Sequence, residues 1–505
     1  MRVKKLYNTS DGQDRSISYI GVARYDYKSR YVLNLNVRDD GADVIGNKNQ
    51  FTPLWSAGAR YNVHNEPFFV KGFVSELSFR GSYGFTGQID RSAYPFSIIE
   101  LSDMMYMGNR FVDNYDFPNP TVKWARKKDF NLGLELGMIN NRLFFMTDWY
   151  KNRTTDILSE LFIPWSTGRN KVRANGGIVE NNRLEFSLRV NWIENKDWLV
   201  STRFNIAKNS NKIIKAHHNY ETYEELIRSN PIQGGVVDLI GEETRAVYGW
   251  KTAGVNPKTG NPRYYLSERG KEEYAKFLKN FNSLSPDKQE YYKGILPSLT
   301  EVPDVVDFDL SKSLSETWQL PSMQYLGGLN PKHVGGFNTY IKYKNFEFTT
   351  DWTFKTGHLV PSFNDYVNAP RNLSFTDPAF MEIGYSGDLA VSSTNRQRKY
   401  LNYWQLPGDE TNVKRFLTSD MDLWSTLYSS DKYEKGDYLR LTNLSFSYRV
   451  NSKLLARYAI RNLQIGVNMR NLLTFTKYKG VDVATGQAFG YPVPREFNIK
   501  LSLGF

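Results

Sequence analysis

The sequence predicts an all-β fold, an antiparallel transmembrane β-barrel of which about thirteen strands are present. Three observations carry this reading. Apolar and polar residues alternate with period two over segments of about nine to eleven residues. The links between segments are short and long by turns. Aromatic rings gather at segment ends.

The alternation is cleanest in the last nine residues, FNIKLSLGF. Phe497, Ile499, Leu501, Leu503 and Phe505 lie on one face, and Asn498, Lys500, Ser502 and Gly504 on the other. In LEFSLRVNW, Leu184, Phe186, Leu188, Val190 and Trp192 oppose Glu185, Ser187, Arg189 and Asn191. In FNLGLELGM, Phe130, Leu132, Leu134, Leu136 and Met138 oppose Asn131, Gly133, Glu135 and Gly137. YVLNLNVRD and LQIGVNMRN follow suit. Period two is the signature of a strand with one oily and one wet side. At roughly 3.3 Å per residue and a tilt near 45°, such a segment spans a little over 20 Å, about the apolar band of an outer membrane. Strands of a soluble sandwich alternate too, but typically run about five or six residues. Turning Arg189 rather than Leu188 toward lipid would cost roughly 2–4 kcal/mol at mid-bilayer, which sets the register.

The expected strands run roughly 17–26, 30–38, 53–63, 76–85, 129–139, 142–151, 183–193, 197–207, 337–344, 346–355, 437–450, 461–473 and 495–505. INNR, ENKD and KN make three short links, and Asn-Asn and Asn-Lys at hairpin tips are expected to supply positive φ. The intervening links run to about 43, 31, 129, 81 and 21 residues, as in barrels with tight turns on one side and long loops on the other. Trp192 and Trp198 flank ENKD, and Trp149 closes a strand at the long-loop end, where amphipathic rings suit a membrane–water boundary.

Composition limits the alternatives. The chain has 505 residues, 23% charged and 40% hydrophobic, with a mean hydropathy of −0.54. No run of about 18 apolar residues occurs, so a helical span is excluded. Cysteine is absent, which removes disulfides and thiolate metal sites. The net charge of +12 and the 15% aromatic content would suit a nucleic-acid binder. The basic residues, however, are scattered along the chain rather than clustered, and nucleic acid is not an expected partner.

Thirteen strands cannot close by themselves, because single-chain bacterial barrels pair an even number. An open sheet in lipid would leave two rows of unpaired backbone groups, each costing several kcal/mol. The N-terminus, MRVKKLYNTSDGQDRS, has no apolar stretch behind its basic residues, and no signal peptide is expected there. The expectation is a C-terminal piece of a longer protein. The alternative is a complete small barrel, with one strand miscounted, acting as a passive channel or adhesin.

Several ordered blocks resemble one family, the SusC/RagA-type TonB-dependent outer-membrane transporters, in the C-terminal portion of the barrel. They are YDYKSRYVLNLNVRDDGADVIG (25–46), LSFRGSYGFTGQ (77–88), NPTVKWARKKDFNLGLELGMINNRLFFMTDWYKNRTTDIL (119–158), AGVNPKTGNPRYY (253–265), LNPKHVGGFNTYIKYKNFEF (329–348), RNLLTFTKYKGVDVATG (470–486) and the closing GYPVPREFNIKLSLGF. Asn256 stands where the family usually has Asp. The resemblance covers essentially the whole chain. It implies a 22-stranded barrel occluded by a plug, TonB-dependent import of a glycan, oligosaccharide or peptide, and a SusD-like surface lipoprotein as partner. The plug and the TonB-binding segment are absent from this sequence. It also implies that the strand closed by Phe497 and Phe505 carries the signal read by the barrel-assembly machinery.

No catalytic constellation is present, and neither an enzymatic activity nor a cofactor is expected. His64, His217, His218, His333 and His358 fall in turns, loops or near strand ends. Adjacent His217 and His218 lack the i, i+4 geometry of a helical metal site, so no metal is expected. Glu242 with Glu243, and Asp304 with Asp307, are acids in a long loop with no implied partner. Candidate contacts to substrate or partner are Trp250, Tyr264, Tyr265, Tyr366, Tyr403 and Trp404, rings in the long loops that can stack on sugars or pack on peptide side chains. Residues 209–336 are expected to form one large extracellular loop region. It contains a charged helical stretch, SERGKEEYAKFLKNF, able to meet the lipoprotein.

Overall fold

The computed structural model describes residues 15–43, 45, 50–89, 98–116, 119–167, 171–217, 220, 222–225, 236–296, 298–307, 320–362, 403–415, 429–450, 460–485 and 491–504. His218, Tyr366 and Phe505 lie outside them. The chain divides into two compact units, residues 1–186 with 211–219, and residues 187–210 with 220–505.

The first unit is built on β1 (Ser16–Tyr27), β2 (Tyr31–Ala42), β3 (Phe51–Asn62), β4 (Val74–Gln88), β7 (Ala125–Met138), β8 (Leu143–Phe162) and the first part of β9 (Lys171–Glu194). A separate hairpin pairs β5 (Ile98–Tyr106) with β6 (Asn109–Asp116). The second unit takes the rest of β9 and most of β10 (Trp198–Lys215). With them come β17 (His333–Tyr343), β18 (Phe346–Thr356), β21 (Tyr438–Arg449), β22 (Asn462–Thr476) and β23 (Glu496–Gly504). Hydrogen bonding links these as one thirteen-stranded sheet in the order β1-β2-β3-β4-β7-β8-β9-β10-β17-β18-β21-β22-β23. The number of strands is the one the alternation predicts.

Three elements are much longer than alternation suggested, among them β10 with 18 residues. β8 runs 20 residues and β9 runs 24. The added stretches, from about 152 and before about 183, carry polar residues on both faces. Beyond an apolar band neither face needs oil, while backbone pairing continues. Arg153 and Glu180 join the two strands there at 3.0 Å.

The tight turns use two different devices. Ile139, Asn140 and Asn141 take φ of 53°, 53° and 61°, and Lys344 takes 51°, so the asparagine pair of INNR does supply the left-handed backbone. The Asn-Lys of ENKD does not, contrary to expectation. There the Asn195 side-chain oxygen Oδ1 accepts from the backbone N–H of Asp197 (3.0 Å) and Trp198 (2.9 Å), an Asx turn that needs no positive φ.

The burial pattern is inverted relative to a water-soluble protein. Leu132, Phe497 and Ile499 are 46%, 64% and 82% exposed, while Glu135 and Asp148 are 7% and 4% exposed. Large apolar side chains left outside and charges packed inside are stable only where the outer medium is itself apolar. Among the described residues no helix is long and apolar enough to cross a membrane; the crossing is made by strands. Trp192 and Trp198 mark strand ends as expected, whereas Trp149 lies within β8, which runs on to Phe162. Trp192 Nε1 donates to Thr202 Oγ1 (3.0 Å), Trp149 Nε1 to Asn182 Oδ1 (2.7 Å), and Trp198 packs 4.2 Å from Tyr343.

Within the second unit, the segment between β10 and β17 builds two small sheets and two helices from residue 220 onward. β11 (Val236–Val237), β12 (Ala246–Gly249) and β16 (Gln324–Gly328) form one small sheet. β13 (Thr252–Val255), β14 (Pro262–Tyr265) and β15 (Val305–Asp307) form another. The charged stretch is helical, as α1 (Glu268–Asn280), followed by α2 (Pro286–Ile295). Ser267 caps α1 by accepting from the Gly270 N–H at 3.0 Å. Tyr274 is fully buried beside Leu266 and Val306, and its hydroxyl donates to the Ser298 carbonyl at 2.7 Å. Burial pushes that phenol up to about 12. A further pair, β19 (Leu359–Pro361) with β20 (Tyr433–Lys435), closes the base of the link between β18 and β21.

Candidate functional site

The wet face of the first unit carries a ladder of charges across four strands. Register sets Arg60 on β3 opposite Arg80 on β4, Ser78 opposite Glu135 on β7, and Gly133 opposite Asp148 on β8. Glu135 accepts from Arg60 at 2.6 Å, from Arg80 at 2.7 Å and from the Ser78 hydroxyl at 3.2 Å. Arg80 reaches past β7 to Asp148 with both Nε (3.1 Å) and Nη2. Gly133 makes this reach possible. A Cβ there would stand 2.5 Å from Arg80 Nε and 2.6 Å from Asp148 Oδ1. Two cations and two anions thus neutralise one another in a fixed geometry.

Removing one partner leaves the others uncompensated. Glu135→Ala is expected to lower stability by about 2–3 kcal/mol, below the usual range for a fully buried pair because the arginines are about a third exposed. Urea unfolding of the folded protein in lipid vesicles measures it. Glu135→Gln, which keeps the hydrogen-bonding shape, should lose less.

The wet face of the second unit is polar but mostly uncharged. Asn338 donates to Asp351 at 2.6 Å, Asn443 donates to the other Asp351 oxygen at 2.8 Å, and Asn468 donates to Asn443. Near the start of β21, Arg440 donates to Thr474 Oγ1 at 3.0 Å and to Asp482. Asp482 also accepts from the backbone N–H of Ala484 (2.9 Å) and Val493 (3.0 Å), so one carboxylate folds the GVDVATG block. Burial works against its charge. Arg440 and the two N–H groups outweigh that and hold its carboxyl below the ordinary carboxylate range.

The candidate rings divide in two. Trp250 and Tyr264 are buried, 5.7 Å apart, and hold the loop region together. Tyr265 is exposed, with the Lys251 ammonium 5.3 Å from its ring centre. Tyr403 and Trp404 are half-buried in residues 403–415, which clamp the 253–261 turn: Trp404 Nε1 donates to the Pro257 carbonyl at 2.8 Å and the Arg415 N–H to the Gly260 carbonyl at 3.0 Å. Asn256, where the family usually has Asp, donates its amide to the half-buried Asp307 carboxylate. An Asp at 256 would bring a second carboxylate there. Burial raises Asp307, while the Asn256 and Thr259 hydrogen bonds hold it partly back.

Among the described residues no group of three His, Cys, Asp or Glu side chains is arranged to hold a metal. His217 Nε2 is taken by the Ala174 carbonyl at 2.7 Å. The arrangement offers a hydrophilic wall and a folded loop platform. Sequence reasoning placed Glu135 on the wet face but missed its partners Arg60 and Arg80, and the Asp148 that Arg80 also holds. All four lie in strands the sequence predicts; which charges meet depends on cross-strand register.

Residues 5–311 match the model of the family described as TonB dependent receptor-like, beta-barrel. The chain is 27% identical over 509 residues to TonB-dependent receptor P3 of Formosa agariphila, covering 97% of this chain and 45% of that protein. It is 29% identical over 514 residues to TonB-dependent receptor SusC of Bacteroides thetaiotaomicron, covering 97% and 44%. The solved structure of the RagAB peptide transporter superposes with a TM-score of 0.74 at 21% identity, covering 97% of this chain and 48% of that one, which shows a shared fold. The chain therefore spans about half the length of these relatives. With the sheet order, the inverted burial and this match together, the chain belongs to the TonB-dependent receptor-like β-barrel family, as a SusC-like stretch of outer-membrane barrel strands.

Proposed function

We propose that this chain is the C-terminal share of a plugged barrel that imports a glycan, oligosaccharide or peptide across the outer membrane with energy coupled through TonB. The observation that carries the reading is the alignment of nearly the whole chain with less than half of SusC. The order of the sheet supports it, because among the described residues β1 and β23 stand at opposite ends of the ladder, each with one edge left for a further strand. In the complete protein a plug would meet the wet face, and the TonB-binding segment would lie in the part not present here. A SusD-like lipoprotein would sit over the loops between β10 and β17, within the expected 209–336 region, where α1 displays Arg269, Lys271 and Lys276 in ion pairs with neighbouring acids. Of the rings, Tyr265, Tyr403 and Trp404 remain the substrate or partner contacts. The barrel-assembly machinery would read the last strand, ending on Phe505.

Uptake of a panel of fluorescent oligosaccharides and oligopeptides by cells carrying the whole gene tests the reading, with and without TonB. At least one member should accumulate only when TonB is present, and a tagged protein should carry a surface lipoprotein through purification. Uptake that persists after TonB is removed would overturn energy coupling. It would favour a passive channel instead.

A further inference from the structure

We propose that the β3–β4 turn, residues 63–73, is a lipid-inserting foot that seats the short-turn rim of the barrel in the membrane interface. It rests on the family assignment, which puts the oily face of the strands against lipid.

The other tight turns described, 28–30, 139–142, 195–197 and 344–345, need only two to four residues. This one, VHNEPFFVKGF, has eleven, far more than are needed to join adjacent antiparallel strands. Its base is firmly held. Arg30 Nε donates to the Asn65 carbonyl at 3.0 Å, and Asn65 and Asn62 amides donate to the Ser29 carbonyl at 2.8 and 2.7 Å. At the other end the Ile139 N–H donates to the Phe73 carbonyl at 2.8 Å. From this base Phe68, Val70 and Phe73 project with 69%, 88% and 68% of their surface uncovered, and Ile139 stands beside Phe73 half exposed. Lys71 lies between them, also exposed.

Position selects the occupant. Tyr31 is on the oily face of β2 with Leu33 and Leu35, and stacks on Tyr61 of β3 with ring centres 5.1 Å apart. The Glu66 carboxylate sits beside the Tyr31 hydroxyl and 3.5 Å from the Arg30 guanidinium. The turn therefore adjoins the Tyr31–Tyr61 pair at the edge of the oily face, continuous with the surface that meets lipid. Apolar side chains with a flanking lysine at that level suit the boundary between headgroups and acyl chains. An apolar patch of this kind on a well-held loop calls for a covering phase.

The absence of cysteine allows a clean test. The full-length protein, with any cysteine outside these residues changed to serine, carries Val70→Cys labelled with a nitroxide. It is reconstituted in nanodiscs of phosphatidylethanolamine and phosphatidylglycerol. Collision with oxygen and with a water-soluble nickel chelate is compared with labels at Leu33→Cys on the oily face and Lys196→Cys in the ENKD turn. The Val70 label should resemble that at Leu33, with an oxygen-to-nickel ratio severalfold above that at Lys196. Adding Phe68→Asp and Phe73→Asp should move it into water while the barrel keeps its heat-modifiable migration on gels. A Val70 label as open to nickel as the one at Lys196 would overturn the proposal. So would a label shielded from both quenchers, which would mean a protein contact.

Discussion

Asp482→Ala is expected to cost about 3–5 kcal/mol in the local structure that joins β22 to β23, because it strands Arg440 in a site where both side chains are almost wholly buried. The loss is not confined to one pair. The N–H groups of Ala484 and Val493 lose their acceptor in the same step, and each buried donor left unsatisfied adds to the cost. Hydrogen exchange and limited proteolysis of residues 478–485 measure it, and the strands of the first unit serve as an unaffected reference. The same carboxylate makes the region acid-sensitive. Its folded value lies below the ordinary one, so its stabilisation is fully present above the unfolded value near 3.9 and is lost as pH falls through the folded value. Opening of the segment should rise below about pH 4 in the wild type. Asp482→Asn should be open already at neutral pH and lack that acid step. Wild-type protection that does not change in acid would show that Arg440 is held by other groups.

Leu134→Arg is expected to destabilise the barrel by about 2–4 kcal/mol, since residue 134 is central in the oily face of β7 and places the guanidinium near mid-bilayer. Asn131→Lys, on the opposite face of the same strand beside Asp148, should stay within about 0.5 kcal/mol, as a polar change in a wet setting usually does. Reversible unfolding in lipid vesicles compares the two. Equal costs would mean that the two faces of β7 see the same medium. Such a result would remove the ground for reading exposed Leu132 and buried Glu135 as an inverted protein.

Much of the scaffold was legible because it is local. Two neighbouring residues in an extended chain point to opposite sides whatever else the protein does. FNIKLSLGF and LEFSLRVNW therefore declare their faces without reference to any partner. The link lengths declared the hairpins for the same reason. The lengths of β8 and β9 were missed because their outer halves stand in water, where alternation is not required. The ENKD turn was misread because an asparagine can close a turn either by its backbone or by its side chain, and the sequence is identical in both cases.

The site was less legible. Trp250 and Tyr265 are both aromatic residues in one loop region, yet one is 1% exposed and the other 42%. Nothing within a few residues of either distinguishes them; burial of Trp250 depends on Tyr264 and on Ser429 and Ser430, which lie about 180 residues away in the chain.

The amino-acid order by itself determined the strand number, the oily and wet sides of each strand, and the alternation of tight turns with long loops, since each follows from period two and chain reach. Only the tertiary structure decided that Arg80 reaches Asp148 over Gly133 and that Asp482 organises the last loop. It alone seated the 63–73 turn beside the Tyr31–Tyr61 pair. Those outcomes depend on register and on contacts between distant segments, where a one-residue slip would exchange every partner while leaving the local pattern unchanged.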